Sequence, residues 1–370
     1  MNSKRLKKRD VVDRLVMFLN LIALAALSAT YIAGSIVPNA LWPLGFVAMA
    51  YPVTLVFTLL FIVYWLFRRK WFLFLNISFL VLKWDYVQAT VKFNLDDSEA
   101  KEGIKVMTYN VRLFDHYNWS NDQSTSFKAQ EFIFGQRSDI ICIQEFYNRK
   151  GEKFRAMDTL LSSNRVKHFH SENYKSKLKS NDFWGLATLS AYPIINKGQI
   201  PFVNSESALA IFTDVVIESD TVRIYNVHLQ SIHLGNEGYA VLDEIIATQD
   251  LEDVNRGKIV LRRMKSGFQK RAEQAEILAT HIEQCPFAVI LCGDFNDVPT
   301  SYTYQTIVSA GLQDAFSKAG TGFGATYVRV PFFRIDNILY SKEFVANRHT
   351  VHPYAMSDHL AVTANLKQKD

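Results

Sequence analysis

The sequence predicts an α/β domain over residues 101–370, built of sheets and helices and preceded by transmembrane helices within residues 1–100. The first observation is a change of composition, because long uncharged apolar runs are confined to the first hundred residues. The second is that short β-rich runs alternate with helical stretches through the rest of the chain. The third is that some of these runs are apolar throughout while others alternate. That mixture fits sheets covered on one face by helices and on the other by a second sheet.

Two apolar runs near the N-terminus are long enough to cross a bilayer. They read VMFLNLIALAALSATYIAGSIV (16–37) and LGFVAMAYPVTLVFTLLFIVYWLF (44–67), and neither contains a charge. A membrane span needs roughly 20 apolar residues. A cleaved signal peptide is the alternative, but it has a single short apolar region followed by a small-residue cleavage site. We therefore predict two transmembrane helices.

A third apolar run, WFLFLNISFLVL (71–82), is short for a crossing. It reaches spanning length only when extended to residue 91 through Lys83 and Asp85. An interface rich in Trp and Tyr accommodates charges near one end of a span. We favour a third crossing over a re-entrant or interfacial segment.

Basic residues predict the orientation of these spans. Lys and Arg cluster in residues 4–9 and again in residues 68–70, whereas the connector 35–43 carries no charge. Such clusters are retained on the cytoplasmic side. With three crossings, the protein is a multi-pass integral membrane protein whose α/β domain lies outside the cytoplasm.

Charge also separates the two parts of the chain. Residues 1–100 hold 11 Lys and Arg against 6 Asp and Glu, and the remainder holds 30 of each sign, so the α/β domain is neutral. Nucleic-acid binding relies on Lys and Arg that neutralise phosphates, so neutrality argues against it. The basic strip RGKIVLRRMKSGFQKR (256–271) is typical of a solvated helix face. The three cysteines show neither zinc-site nor disulfide spacing.

Twelve elements are predicted in the α/β domain. Strands are expected where β-branched and aromatic residues cluster, at 104–111, 139–145, 185–190, 208–217, 221–229, 287–294, 334–340 and 360–366. Helices are expected from apolar periodicity at 127–137, 153–162, 258–283 and 302–310. Residues 164–181, rich in Lys, Ser, His and Asn, are predicted to form an exposed loop.

Polar residues recur where these strands end or begin. Singly, each is explained as a turn or cap residue. Together, carboxylates and amides in this number indicate a site for a hard divalent cation, because Mg²⁺ prefers oxygen ligands. The residues are Asn110, Glu145, His228, Asp294, Asn296, Asp336, Asp358 and His359.

The motifs MTYNV, IQE, NVHLQS, GDFND, RIDNIL and MSDH occur in this order over about residues 103–369. In this the chain resembles the endonuclease/exonuclease/phosphatase superfamily. That superfamily includes pancreatic-type deoxyribonucleases, abasic-site endonucleases, inositol polyphosphate 5-phosphatases and neutral sphingomyelinases. The resemblance implies a four-layered α/β/β/α sandwich of two mixed sheets, with the site at one edge of both.

The resemblance also implies roles for the residues of GDFND and for the metal ligands. Asp294 would orient or deprotonate the attacking water, and Asn296 would hold a phosphate oxygen. Glu145 would be the main Mg²⁺ ligand, with Asn110 close by and Asp358 at a second or shared metal position; Mn²⁺ is expected to substitute for Mg²⁺. Asp297 has no implied role and is expected to be structural.

Two histidines complete the implied site. His359 would bond the scissile phosphate while the carboxylate of Asp336 orients its ring. His228 would act beside it, as a phosphate ligand or as the acid that protonates the leaving oxygen.

The substrate is harder to predict. Abasic-site endonucleases carry a Tyr and a Pro-Asn-Gly motif where this chain has NVHLQS (226–231), which is closer to the deoxyribonuclease and sphingomyelinase branches. Neutral charge and tethering favour membrane-proximal phosphodiesters or phosphomonoesters such as lipid head groups. A metal-dependent nuclease acting on DNA or RNA is the alternative. A non-catalytic binding domain on the same fold is more remote, because no expected site residue is lost. No protein partner can be inferred from the sequence.

Overall fold

The computed structural model describes residues 2–94, 103–149, 156–161, 165–174, 182–202, 205, 207–232 and 254–369. The N-terminal part is helical throughout. Its helices are α1 (Asn2–Ala33), α2 (Pro38–Leu41), α3 (Leu44–Met49), α4 (Tyr51–Arg68), α5 (Phe72–Leu82) and α6 (Trp84–Thr90).

Two of these helices have the length and composition to cross a membrane, Val11–Ala33 within α1 and the whole of α4. Only 28% and 22% of their apolar windows are buried, so neither resembles the core helix of a soluble protein. The second predicted span, 44–67, is not one helix. It is interrupted at Ala50, because Pro52 lacks the N–H that would bond the carbonyl of Ala48 and its ring crowds that carbonyl.

The third apolar run forms two helices rather than one. Lys83, with φ −128° and ψ 53°, leaves the helical conformation between α5 and α6. The predicted continuous helix through residue 91 is therefore wrong. With 11 residues, α5 is about 16 Å long, against the roughly 30 Å of a bilayer core.

A buried polar cluster joins the three longest apolar helices. Asn20 of α1 and Asn76 of α5 exchange side-chain hydrogen bonds of 2.8 and 2.9 Å. The indole of Trp65 in α4 donates to Asn20 at 2.6 Å. Asp13 of α1 pairs with Arg68 of α4 at 2.6 Å. The C-terminal end of α4 therefore lies beside the N-terminal half of α1.

The α/β part contains two six-stranded mixed sheets. The first has the order β11-β12-β1-β2-β4-β3 and the second β5-β6-β7-β8-β10-β9. The first is formed by β1 (Ile104–Asn110), β2 (Ile140–Arg149), β3 (His168–Asn173), β4 (Asp182–Ser190), β11 (Phe344–Val351) and β12 (Val362–Gln368). The second is formed by β5 (Ile194–Ile200), β6 (Leu209–Ile217), β7 (Asp220–His228), β8 (Ala288–Asp294), β9 (Gln313–Asp314) and β10 (Asp336–Tyr340).

Helices cover the outer face of each sheet. They are α7 (Thr125–Gly135), α8 (Ala156–Leu161), α9 (Val254–Glu283) and α10 (Tyr302–Ser309). A fifth helix, α11 (Ala315–Ala319), instead packs against the apolar core between the sheets. Helices α7 and α9 lie in the connections of the two parallel pairs, β1 with β2 and β7 with β8, since a parallel pair needs a crossover. One apolar core separates the sheets, another lies under α9 and α10, and a third lies under α7. The predicted four-layered α/β/β/α sandwich is confirmed.

All eight predicted strands are present, but four others were not predicted. They are β3, β5, β9 and β11, and each lies at or beside a sheet edge, where polar side chains face solvent. The prediction of an exposed loop over residues 164–181 is wrong where β3 lies, because this strand pairs with β4 along its whole length. The segments 162–164 and 175–181 lie outside the described residues.

The N-terminal helices pack directly on the α/β part. The hydroxyl of Thr300 donates to the carbonyl of Ala48 at 2.8 Å, and the buried guanidinium of Arg334 donates to the carbonyl of Ala89 at 3.0 Å. Phe46 meets Phe268 of α9 edge-to-face, with ring centroids 5.5 Å apart. Contacts therefore cross the predicted boundary at residue 100, so function is best tested on the full chain.

Candidate active site

Strand register places three predicted site residues side by side. His228 ends β7 and pairs with Asp294 at the end of parallel β8, and Asp294 pairs with Asp336 at the start of antiparallel β10. The C-terminal end of β1 faces this row from the other sheet, because Asn110 donates to Asp294 at 3.0 Å. The edge predicted to hold the site is therefore assembled by pairing across both sheets.

Asp294 lies at the centre of this edge and is fully buried. Its carboxylate accepts hydrogen bonds from the side chain of Asn110 and from the backbone N–H of Asn296 at 2.8 Å. The nearest ring nitrogens of His228 and His359 lie 3.6 and 3.7 Å from it. Burial raises the pKa of Asp294, although the charge of His359 opposes that rise.

Local backbone geometry explains the sequence around Asp294. A Cβ on Gly293 would lie 2.0 Å from the carbonyl oxygen of Val227, so only glycine lets β8 approach β7 this closely. Asn296 has φ +52°, a left-handed conformation that asparagine tolerates. Its amide donates to the carbonyl of Leu229 at 3.0 Å and to Asp294 at 3.2 Å. The turn therefore fixes Asn296 against Asp294.

Asp297 faces away from this centre. Its carboxylate pairs with the buried Arg271 at 3.0 Å and accepts from Thr303 at 2.9 Å. It ties the turn to helices α9 and α10, as a structural residue would.

His359 and Asp336 form a buried pair. The Nδ1 atom of His359 lies 3.0 and 3.2 Å from the two carboxylate oxygens of Asp336, which directs Nε2 towards Asp294. Burial alone would lower the pKa of His359, but the charges of Asp336 and Asp294 outweigh it and raise this pKa well above its usual value. The raised pKa favours the protonated, imidazolium form of the ring.

Glu145 reaches the site through a β-bulge. The pairing of β2 with β4 shifts between Ile143 and Phe146, and Glu145 adopts φ +50°. Such a conformation is costly for glutamate and tends to occur where function requires it. The amide of Asn110 lies 3.3 Å from its carboxylate.

Glu145 and Asp358 provide an incompletely neutralised pair of carboxylates, with side chains 25% and 20% exposed. Burial, together with the charge of Asp358, raises the pKa of Glu145 to about 7. Among the described residues, the cation nearest Asp358 is Arg112, at 3.5 Å. This excess of negative charge, open to solvent, fits a hard divalent cation.

A second group also has metal-like spacing. Ligand atoms of Asp294, Asp336 and His359 lie within 4.8 Å of one another. However, Asp336 is occupied by its hydrogen bonds to His359, and the imidazolium repels a cation. We therefore regard Glu145, Asp358 and Asn110 as the better candidate ligands.

Residues 107–359, more than half of the chain, match the model of the Endonuclease/Exonuclease/phosphatase family. The chain belongs to this family. Members of the family are usually hydrolases of phosphoester bonds. Residues 13–90 match a second model, described as a domain of unknown function (DUF8431).

Solved structures share the endonuclease/exonuclease/phosphatase fold. A protein of this name from Beutenbergia cavernae DSM 12333 is 17% identical, with a TM-score of 0.53, over 72% of each chain. Its counterpart from Bacteroides vulgatus is 16% identical, with a TM-score of 0.53, over 73% of this chain and 100% of its own. The mannosyl-6-phosphatase of Bacteroides thetaiotaomicron VPI-5482 is 15% identical, with a TM-score of 0.52, over 71% of this chain and 99% of its own. At these identities the likeness concerns the fold alone. No curated protein sequence gives a significant match.

The sequence did not identify one residue of the site in this member of the family. Tyr174 directly follows β3, inside the segment predicted as an exposed loop, yet it is buried and its hydroxyl lies 2.6 Å from Nδ1 of His228. The same oxygen accepts the backbone N–H of Glu145 at 3.4 Å, which directs the phenolic proton to His228. Burial raises the pKa of Tyr174 far above its usual value, so the phenol keeps that proton. Nδ1 of His228 is then an acceptor, and Nε2 carries the hydrogen that faces the site.

Replacing Tyr174 with phenylalanine is expected to lower the rate of phosphoester hydrolysis about 10-fold or more, because His228 loses the partner that selects its tautomer. The measurement is kcat, together with the ¹⁵N resonance of His228 Nδ1. The control is Tyr109→Phe, since the buried hydroxyl of Tyr109 makes no hydrogen bond with the described residues. A wild-type rate and an unchanged Nδ1 resonance in Tyr174→Phe would contradict this role.

Arg112 was also missed. Its guanidinium lies 3.5 Å from Asp358 and stacks over the ring of Trp119, with 4.3 Å to the centroid. Arg112 lies two residues after Asn110 in the motif MTYNVR. The backbone N–H of Arg112 donates to the side-chain oxygen of Asn110 at 3.1 Å. It adds one positive charge at the mouth of the site.

Proposed function

We propose that this protein is a membrane-tethered, Mg²⁺-dependent phosphoesterase that cleaves phosphodiester or phosphomonoester bonds, with lipid head groups as the favoured substrates. The observation that carries the proposal is the row of His228, Asp294 and Asp336 in register across three strands. Asn110 and Glu145 face this row from the other sheet, and His359 completes it. These are the groups that hydrolysis of a phosphoester requires: a base, cationic stabilisation and metal ligands.

Glu145, Asn110 and Asp358 would hold the cation. Bound Mg²⁺, or Mn²⁺ in its place, would neutralise phosphoryl charge. The support for this assignment is the repulsion between Glu145 and Asp358, which a bound cation would relieve.

Asp294 is assigned to orient and deprotonate the attacking water. Its carboxylate is fixed by the amide of Asn110 and by both the backbone and the side chain of Asn296, so it needs no rearrangement to receive a proton. Asn296, at the same edge, is assigned to contact a phosphate oxygen.

His359 is assigned to stabilise charge on the phosphoryl group. Its raised pKa keeps the ring protonated at neutral pH, and Asp336 holds Nδ1 so that Nε2 faces the site. His228 is best assigned as a phosphate ligand, because the proton of Tyr174 at Nδ1 leaves a neutral Nε2–H as donor. The alternative, an acid for the leaving oxygen, would need a protonated ring.

The membrane tether rests on the mostly exposed apolar surfaces of α1 and α4. The end of the helix bundle marked by Asp13 and Arg68 carries the basic residues, whereas the carbonyls of Ala48 and Ala89 contact the α/β part. The basic residues and the contacts with the α/β part therefore lie at opposite ends of the helix bundle. If the basic clusters are in the cytoplasm, the active site lies outside it, and α5 and α6 complete a third crossing.

A periplasm-dependent phosphatase reporter tests this topology. We expect activity when it is fused after Ala100 and none when it is fused after Lys70. Silence at both positions would place the catalytic site in the cytoplasm.

The substrate class is tested with the full chain in lipid nanodiscs containing Mg²⁺. We expect phospholipids or sphingomyelin to be hydrolysed faster than plasmid DNA or RNA, because residues 101–370 carry no excess of positive charge. Inositol phosphates serve as the soluble comparison. Efficient plasmid nicking at physiological salt, without lipid turnover, would favour the nuclease alternative. No turnover of any ester would favour a binding domain.

A further inference from the structure

Loop 322–334 displays aromatic side chains on the surface. Phe323 and Phe332 are 42% and 47% exposed, and their rings meet edge-to-face with centroids 5.0 Å apart. Val328 in the same loop is 48% exposed. Clustered exposed apolar side chains mark surfaces that meet a partner or a membrane.

Both ends of this loop are attached to the chain that leaves the apolar helices. Lys92 and Gly322 exchange backbone hydrogen bonds of 2.9 and 2.7 Å. At the other end, Arg334 donates to the carbonyl of Ala89 and pairs with Asp314 at 2.7 Å. Phe93, next to Lys92, is 80% exposed. The exposed aromatic residues therefore lie where the chain emerges from α6.

The same loop is hydrogen-bonded to residues of the active site. The N–H of Val328 donates to the carbonyl of Asp358 at 2.9 Å, and the hydroxyl of Thr326 accepts the N–H of Asp336 at 3.1 Å. A second hydrogen bond to the N-terminal helices comes from Thr300, four residues after Asn296. The active-site edge of the sandwich is therefore the edge attached to the apolar helices.

We propose that loop 322–334 seats this edge on the surface of the bilayer, with Phe323 and Phe332 inserted among the lipid head groups. A phosphorylated head group would then reach His359, the ring that Asp336 orients, directly from the membrane. This inference rests on the proposed tether and phosphoesterase activity. The occupant is a lipid surface because the loop continues the exposed apolar surface of the helices, and because aromatic side chains favour the membrane interface.

Spin-label accessibility tests the position of the loop without requiring activity. A label at Phe323→Cys, in full-length Cys285→Ser protein in phosphatidylcholine nanodiscs, is compared with one at Ile195→Cys. Cys142 and Cys292 are buried, and Ile195 is 59% exposed at the end of β5 remote from His228. We expect a water-soluble nickel chelate to reach the label at 323 at least about fivefold less than the label at 195. Equal accessibility would overturn the proposal and leave this surface to a protein partner.

A kinetic comparison tests the consequence for substrate capture. The variant Phe323→Ser/Phe332→Asn keeps the left-handed φ of +74° at position 332 accessible, because asparagine tolerates it. We expect kcat/KM on phospholipid vesicles to fall at least about tenfold, and that on a soluble nitrophenyl phosphodiester to stay within about twofold. The control, Ile195→Ser, should change neither rate.

Equal losses on both substrates, or no loss on vesicles, would overturn the proposal. A wild-type protein that cleaves neither substrate would instead overturn the proposed function. The spin-label result would still decide where the loop lies.

Discussion

Replacing Asp294 with asparagine is expected to lower kcat by about 10²–10⁴-fold, the usual contribution of a general base. The two side chains have the same shape, and the asparagine oxygen can still accept from the N–H of Asn296. What is lost is the ability to take a proton from water at the centre of the row formed with His228 and Asp336. The measurement is kcat on a soluble phosphodiester at saturating Mg²⁺.

Asp220→Asn is the matched control, because Asp220 begins β7 at the end opposite His228 and is exposed. It should retain the wild-type rate. An Asp294→Asn enzyme within about threefold of wild type would show that Asp294 is not the base.

Replacing Glu145 with glutamine is expected to abolish both hydrolysis and cation binding. The charge of Asp358 acts on Glu145, and removal of one of these two charges removes the main attraction for a divalent cation. Calorimetric titration with Mn²⁺ measures the binding directly. Asp294→Asn should still bind the ion, which separates the metal ligand from the base.

Glu218→Gln is a close control for this substitution. Glu218 and Glu145 share a left-handed backbone conformation, with φ of +55° and +50°, so any cost of glutamine in that conformation is the same. Glu218 lies in the turn between β6 and β7, away from the site. A Glu145→Gln protein that binds Mn²⁺ as tightly as wild type would contradict the ligand assignment.

The central strands could be predicted because their environment dictates their composition. Runs such as IKVMTYN and AVILCGD are buried on both faces and are therefore rich in apolar and β-branched residues. The edge strand β3, with the sequence HFHSEN, has no such requirement and reads as a loop. Its existence depends on pairing with β4, which local sequence does not encode.

Most residues of the site could be predicted from the sequence, but the contacts between them could not. Asp294 and Asn296 stand out because polar residues that end an apolar strand have no packing role there. The bulge that turns Glu145 into the site leaves no mark in IICIQE. Tyr174 could not be identified from the sequence, because it belongs to no motif and its role depends on its tertiary contact with His228.

The predicted boundary at residue 100 follows the change in composition, but contacts between the two parts of the chain cross it. Arg334 is buried deep in the α/β part, yet it binds the carbonyl of Ala89 and the carboxylate of Asp314 together. An arginine in the sequence FFRIDN does not reveal such a partner, because the two residues are far apart along the chain. The break at Lys83, which separates α5 from α6, was likewise not visible in the apolar run.

The central claim is that a divalent cation held beside Asp294 supports phosphoester hydrolysis. It is tested most directly by measuring hydrolysis by the full-length wild-type protein in excess EDTA and then during titration with Mg²⁺ or Mn²⁺. We predict no turnover in EDTA and full recovery as either cation saturates the site. Full activity in excess EDTA would contradict the account.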